Sequence, residues 1–190
     1  MCFSYGLRAL SLIALLLISQ QGITDELGDN LEVCQSCHGA EMIDEDPLVP
    51  IISGQHFFSI YTQLKDYKAE RRAHDIMSGM VAEFDKKMMK ALATHYSEKK
   101  WNCAQANVGD YDIQLAERTM TSGQCTQCHG TNFIAASGTP RLACQKHTYL
   151  AETMLAFKDK TRMNAPAKTS LFQGVSDEAI EAVAQYLAER

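Results

Sequence analysis

The sequence predicts an all-α protein built from two tandem units, each a small helical bundle. Three observations lead there. The pentapeptide C-x-x-C-H occurs twice, 91 positions apart. The segments downstream of each copy match one another at a shift of 90 and then of 91. Apolar residues recur at helical spacing in both halves, and no segment alternates convincingly as a strand would. Composition agrees: 46% hydrophobic and 22% charged residues suffice for a core, and only 11 Gly and 4 Pro in 190 residues argue against a loop-rich or fibrous chain. Ala, Met, Leu, Lys and Glu, all good helix formers, are abundant.

Residues 1–22 stand apart from the fold. A single basic residue, Arg8, precedes the apolar run ALSLIALLLIS. This is the pattern of a signal peptide, and the run is shorter than the roughly 20 apolar residues of a membrane span. An uncleaved anchor is the alternative, and no clean A-x-A site precedes Thr24. Without Arg8 the chain has 17 basic and 23 acidic residues, a formal charge of 17 − 23 = −6. An acidic surface argues against nucleic acid and anionic lipid and suits a docking partner with a basic patch.

Six cysteines remain after the leader: Cys34, Cys37, Cys103, Cys125, Cys128 and Cys144. Export to an oxidising compartment makes a disulfide framework the first reading. The spacing of four of them says otherwise. Cys34-Gln-Ser-Cys37-His38 and Cys125-Thr-Gln-Cys128-His129 both read as attachment sites for a c-type heme. The two thiols add to the two vinyl groups of one porphyrin, and the adjacent histidine reaches the iron. A closed zinc site would need further Cys or His donors at matching spacing. Two covalently bound hemes c are therefore expected.

The repeat defines the elements. Residues 51–72 match 141–162 at a shift of 90, pairing Gln55 with Gln145, Leu64 with Met154, Tyr67 with Phe157 and Arg72 with Arg162. One inserted residue later, 85–96 matches 176–187. Each unit reads as three main helices. In the second unit these are 110–122, carrying Ile113, Ala116 and Met120; 145–160, with Leu150, Met154 and Phe157 on one face; and 177–188, with Ile180, Val183 and Leu187 inward. Ser176 is the expected N-cap of the last, and Asp177 and Glu178 suit its positive end. The units are expected at 23–97 and 110–190, joined by a linker at 98–109. About 80 residues make a marginal core, so the Tyr, Phe and Met residues are expected to pack helices and line the heme pockets.

With these residues on the page, the chain resembles the class I c-type cytochromes, and more narrowly the tandem two-heme type, the c-four cytochromes of bacterial periplasm. The resemblance covers about residues 28–190. It rests on the two C-x-x-C-H motifs, Gly54-Gln55, QLKDYK at 63–68 and MSGM at 77–80. It implies two tandem class I cytochrome c domains, each around one covalent heme c, with His38 and His129 as proximal iron ligands. It also implies that each imidazole donates its other N–H to a carbonyl near the following proline, Pro50 or Pro140. The methionine of the M-x-G step, Met77, is implied as the distal ligand of the first heme, with Met80 as the fallback. It lies 39 residues after His38.

The second half departs from this pattern. Lys168 lies 39 residues after His129, where the methionine should stand. Ser170 replaces the counterpart of Gly79, and Cys144 that of Gly54. Three readings stay open for the second iron: ligation by a neutral Lys168 amine, ligation by Met163 through a rearranged loop, or an open five-coordinate site. Cys103 and Cys144 either form a disulfide tying the linker to the second pocket or stand as separate thiols, with Cys144 as an iron ligand the remotest case. His56, His74, His95 and His147 read as surface or packing residues, with His74 nearest to Met77.

Methionine ligation favours ferrous iron and raises the potential, so such sites move electrons and do no bond chemistry. The expected function is electron transfer in a periplasmic respiratory chain, taking electrons from a dehydrogenase and passing them to an oxidase or reductase. The alternative is the cytochrome subunit of a specific dehydrogenase, for instance one oxidising reduced sulfur, with a second heme open to small ligands. Peripheral association with a membrane complex fits either reading.

Overall fold

A computed structural model describes residues 26–39, 46–102 and 108–190. The expected signal peptide, Cys103 and the middle of the expected linker lie outside the described residues. Among the described residues the regular elements are all helices, joined by turns and loops, without strands. The first unit comprises α1 (26–38), α2 (Phe57–Lys68), α3 (Met77–Val81) and α4 (Lys86–Ser97). The second comprises α5 (Ile113–Ser122), α6 (Cys125–His129), α7 (His147–Lys158), α8 (Pro166–Phe172) and α9 (Asp177–Ala188).

The sequence repeat is also a structural one. Helices α2 and α7 are both 12 residues long and start 90 positions apart, at 57 and 147. Helices α4 and α9 are also 12 residues each and start 91 apart, at 86 and 177. The extra residue of the second unit is thus taken up between these helices, where a loop absorbs it without shifting a packed face. Their N-caps correspond too. The Asp85 side chain accepts from Met88 N, and the Ser176 hydroxyl accepts from Ala179 N, each cap contributing about 1 kcal/mol.

Each unit has its own core. Ile60, Leu64 and Tyr67 of α2 pack on Met88, Met89, Leu92 and Tyr96 of α4. Leu150, Ala151 and Met154 of α7 pack on Ile180, Val183 and Leu187 of α9, with Ala116 and Met120 of α5. Spacings of three and four residues place these side chains on one helix face. Lys158 of α7 pairs with Asp177 of α9 at 2.5 Å. Ile113 departs from the expected inward face: it is the first residue of α5 and half exposed, one turn short of the core.

Two short helices stand where the sequence reading has loops. Helix α8 opens on Pro166, whose fixed φ and missing N–H suit a first helical position. Helix α3 opens on Met77, and the His74 Nδ1 accepts from the backbone N–H of Ile76 and of Met77. Neither helix is long enough for a periodic apolar face, which is why patterning does not find them.

Gly54 and Cys144 occupy the same turn in the two units, both with positive φ (77° and 60°). Gly54 N donates to Tyr96 O and Cys144 N to Leu187 O, so each turn is tied to the end of its unit's last helix. At Gly54 a Cβ would lie 2.4 Å from Trp101 N, so only glycine fits under the segment leaving the first unit. Cys144 is disulfide-bonded, which removes for it the readings of a separate thiol and of an iron ligand. Holding a non-glycine residue in this conformation costs on the order of 1–2 kcal/mol.

Candidate heme sites

Both attachment motifs are helical. Cys34, Cys37 and His38 end α1, which runs unbroken over 26–38. In the second unit the chain breaks at Gln124, in the left-handed conformation, and α6 carries Cys125, Cys128 and His129. Within a helix, residues three and four apart share a face, so the first cysteine of each motif and its histidine lie on one side. Cys34 and Cys125 are half-buried against the two cores, whereas Cys37 and Cys128 are exposed. Burial pushes the Cys34 and Cys125 thiols up. Among the described residues no cluster of three or more His, Cys, Asp or Glu side chains could hold a metal ion by itself. The donor set fits covalent heme and gives no support to a closed zinc site.

The histidines of the two motifs are held alike. His38 Nδ1 lies 2.9 Å from Pro50 O, and His129 Nδ1 lies 3.3 Å from Pro140 O, the carbonyls implied by the resemblance. A carbonyl cannot donate, so Nδ1 carries the proton and Nε2 keeps its lone pair for a metal. Both rings are held neutral. Burial lowers the His38 pKa, the Pro50 bond opposes, and the Lys146 cation lowers it further. Burial and then the Lys168 cation bring His129 down to about 4.

The distal candidates differ in their surroundings. Met77, first residue of α3, is half-buried and packs on the core of the first unit. Lys168 sits within α8, half-buried, with Nζ 5.3 Å from the centre of the Phe157 ring. Burial lowers its pKa, and the nearby Arg162 adds to the effect. Its charge contributes to lowering the His129 pKa. Met163 is 53% exposed. The aromatic floor also repeats: Arg72 lies 4.6 Å over the Tyr67 ring and Arg162 4.6 Å over the Phe157 ring. The Thr169 hydroxyl and Arg141 Nε are buried without a hydrogen-bond partner among the described residues. Buried polar atoms of this kind mark where a further polar group completes a site.

The two units meet through a polar layer that periodicity could not reveal. Gln63 Oε1 accepts from Arg72 (2.9 Å), Arg162 (2.9 Å) and Asn164 (3.1 Å). Asp66, 5% exposed, takes Arg71 at 2.7 Å on one oxygen and Asn164 at 2.8 Å on the other. Arg72 also donates to the Tyr149 hydroxyl. Burial raises the Tyr149 pKa, but Arg72 and Arg162 outweigh it and bring the phenol down to about 8. Arg72 and Arg162 were legible as a repeat pair and Gln63 and Asp66 as part of QLKDYK, whereas Tyr149 and Asn164 carry no signal in the sequence beyond their polarity, and nothing in it joins the six. Of the other histidines, His56 Nε2 meets Ile134 O across the units at 2.8 Å, and His74 serves α3 as described.

The comparisons with known proteins agree with this geometry. A family model described as cytochrome c oxidase, cbb3-type, subunit III matches residues 112–187. Cytochrome c4 of Thiocapsa roseopersicina is 30% identical over 172 residues, covering 82% of this chain and 85% of that protein. The solved structure of cytochrome c4 from Acidithiobacillus ferrooxidans has a TM-score of 0.75 at 25% identity, covering 83% of this chain and 98% of the other. A thiosulfate dehydrogenase (TsdBA) from Marichromatium purpuratum shares the fold with a TM-score of 0.73 at 22% identity, covering 83% of this chain and 36% of the other.

Proposed function

The chain belongs to the cytochrome c4 family of diheme class I cytochromes, and from that premise we propose that it transfers electrons in the periplasm through one heme held by His38 and Met77 and a second held by His129 and Lys168. Electron transfer through two covalent hemes c is the family's activity; a six-coordinate iron supplies it with little change of geometry between oxidation states. Cys34 and Cys37 anchor the first heme, Cys125 and Cys128 the second. The proposed domains are 23–97 and 110–190, with 98–109 between them. Arg72, Arg141 and Arg162 would supply positive charge to the carboxylates of bound hemes. One observation carries the reading: two identical proximal frames, each a histidine tied through Nδ1 to a prolyl carbonyl, stand in corresponding places of the two units. Intact mass of the protein after acid extraction is expected to exceed that of the polypeptide by two hemes, and a single heme would overturn the reading.

For the first iron, burial against the core favours Met77. Met77→Ala is expected to abolish the methionine-to-ferric-iron absorption of that heme and to lower its potential, since thioether ligation stabilises ferrous iron. If Met80→Ala removes the band and Met77→Ala leaves it, the ligand is Met80.

For export, the support is the apolar leader at 1–22; among the described residues no helix is long and apolar enough to cross a membrane. Donor and acceptor are redox proteins with basic docking faces, complementary to the acidic chain. A second reading, the electron-transfer subunit of a reduced-sulfur dehydrogenase, is favoured by the fold shared with the thiosulfate dehydrogenase; a stoichiometric catalytic partner in the purified protein separates it from a free carrier.

A further inference from the structure

The tether of each proximal histidine does not end at its prolyl carbonyl. The carbonyl of Pro50 and the N–H of Ile51 belong to one peptide group. Its oxygen faces His38 Nδ1 at 2.9 Å, and its N–H donates to Gln145 Oε1 of the other unit, also at 2.9 Å. Gln145 Nε2 closes the pairing by donating to Ile51 O at 3.0 Å. The second unit mirrors this arrangement. The Pro140–Arg141 peptide faces His129 through its oxygen (3.3 Å) and donates its N–H to Gln55 Oε1 of the first unit (2.8 Å). Gln55 Nε2 returns to Arg141 O at 3.1 Å.

Both amides are fixed. Gln145 is 3% exposed and Gln55 7%. Each Oε1 also accepts the backbone N–H of the next residue, Lys146 or His56, and each backbone N–H is bound three residues back, to Leu142 O or Ile52 O. The chain of bonds is therefore His38 Nδ1–H to Pro50 O, and Ile51 N–H to Gln145, with its mirror from His129 to Gln55.

We propose that Gln55 and Gln145 are crossed positioning residues, each fixing and polarising the peptide that holds the proximal histidine of the other unit. The inference rests on His38 and His129 being iron ligands, as proposed above. Hydrogen bonds in series strengthen one another. A peptide whose N–H is bound to a glutamine oxygen has a more basic carbonyl, which draws harder on the imidazole N–H. A stronger pull at Nδ1 makes Nε2 a better donor and favours ferric iron, the lever by which outer groups tune a metal. Each unit thus sets part of the potential of the other's heme without touching it.

The test is Gln145→Leu in the full diheme protein, read by separate midpoint potentials of the two hemes and by the NMR shift of each proximal imidazole N–H in the ferrous state. The expected result is crossed. The His38 heme moves to higher potential and its imidazole N–H resonance shifts, while the His129 heme, in the unit that carries the substitution, is unmoved. Gln55→Leu gives the mirror image. Gln145→Glu retains the Oε1 acceptor and is expected to return the His38 heme toward or below its original potential; it also serves where the leucine variant does not fold. A shift confined to the substituted unit, equal shifts at both hemes, or no shift overturns the proposal. His38→Ala separates the two levels of inference: loss of the low-spin spectrum of the first heme upholds the ligand reading whatever the glutamine variants do, and an unchanged spectrum overturns that reading itself.

Discussion

Lys168→Ala is expected to convert the second heme from low-spin to high-spin and to open it to carbon monoxide, leaving the first heme unchanged. The lysine stands 39 residues after His129, as Met77 stands 39 after His38, and α8 holds it against Phe157, the counterpart of Tyr67. An exposed amine with a pKa near ~10.4 is protonated at neutral pH and cannot ligate. Burial, with Arg162 close by, shifts Lys168 toward the neutral form, and loss of the proton on binding iron would complete the change. An amine favours ferric iron more than a thioether does, so with Lys168 as ligand the native second heme is expected to lie lower in potential than the first, giving the pair a direction. Lys168→Met is expected to create a second methionine-to-iron band and bring the potentials together. Met163, exposed on the stretch between α7 and α8, is expected to be replaceable by alanine without spectral change. If Met163→Ala instead removes a methionine signature while Lys168→Ala does nothing, the lysine is only a neighbour of the heme edge.

The double variant Cys125→Ser/Cys128→Ser is expected to lose the second heme and, with it, the fold of the second unit. A single core of this size supplies roughly 3–5 kcal/mol, and Arg141 Nε and the Thr169 hydroxyl of this unit are buried without a hydrogen-bond partner among the described residues. The mass after acid extraction should fall by one heme, and helical circular dichroism should drop by up to half. The first unit is expected to persist with a perturbed iron, because Gln145 and Arg162 no longer reach it across the interface. Full helicity with one heme would show that the packing of α5, α7 and α9 suffices without the cofactor.

Much of this was legible along the chain. The duplication, the two C-x-x-C-H motifs and the packed faces of α2, α4, α7 and α9 are written in local spacing, because a three-to-four residue period and a pentapeptide need no distant partner to be recognised. Repeat arithmetic also singled out Lys168 and paired Gln55 with Gln145. What tertiary structure alone decided is everything that depends on one unit meeting the other. Ile51 and Gln145 lie 94 positions apart, and Gln55 and Arg141 86 apart; no local pattern signals a bond at that separation. The same holds for the gathering of Arg72, Arg162 and Asn164 on one oxygen of Gln63. Nor could the burial of Lys168 and the exposure of Met163 be read from spacing, since burial is a property of the packed chain. Sequence determines which side chains can form each site; the docking of the two units determines which of them are desolvated and paired, because only there does polar satisfaction become obligatory.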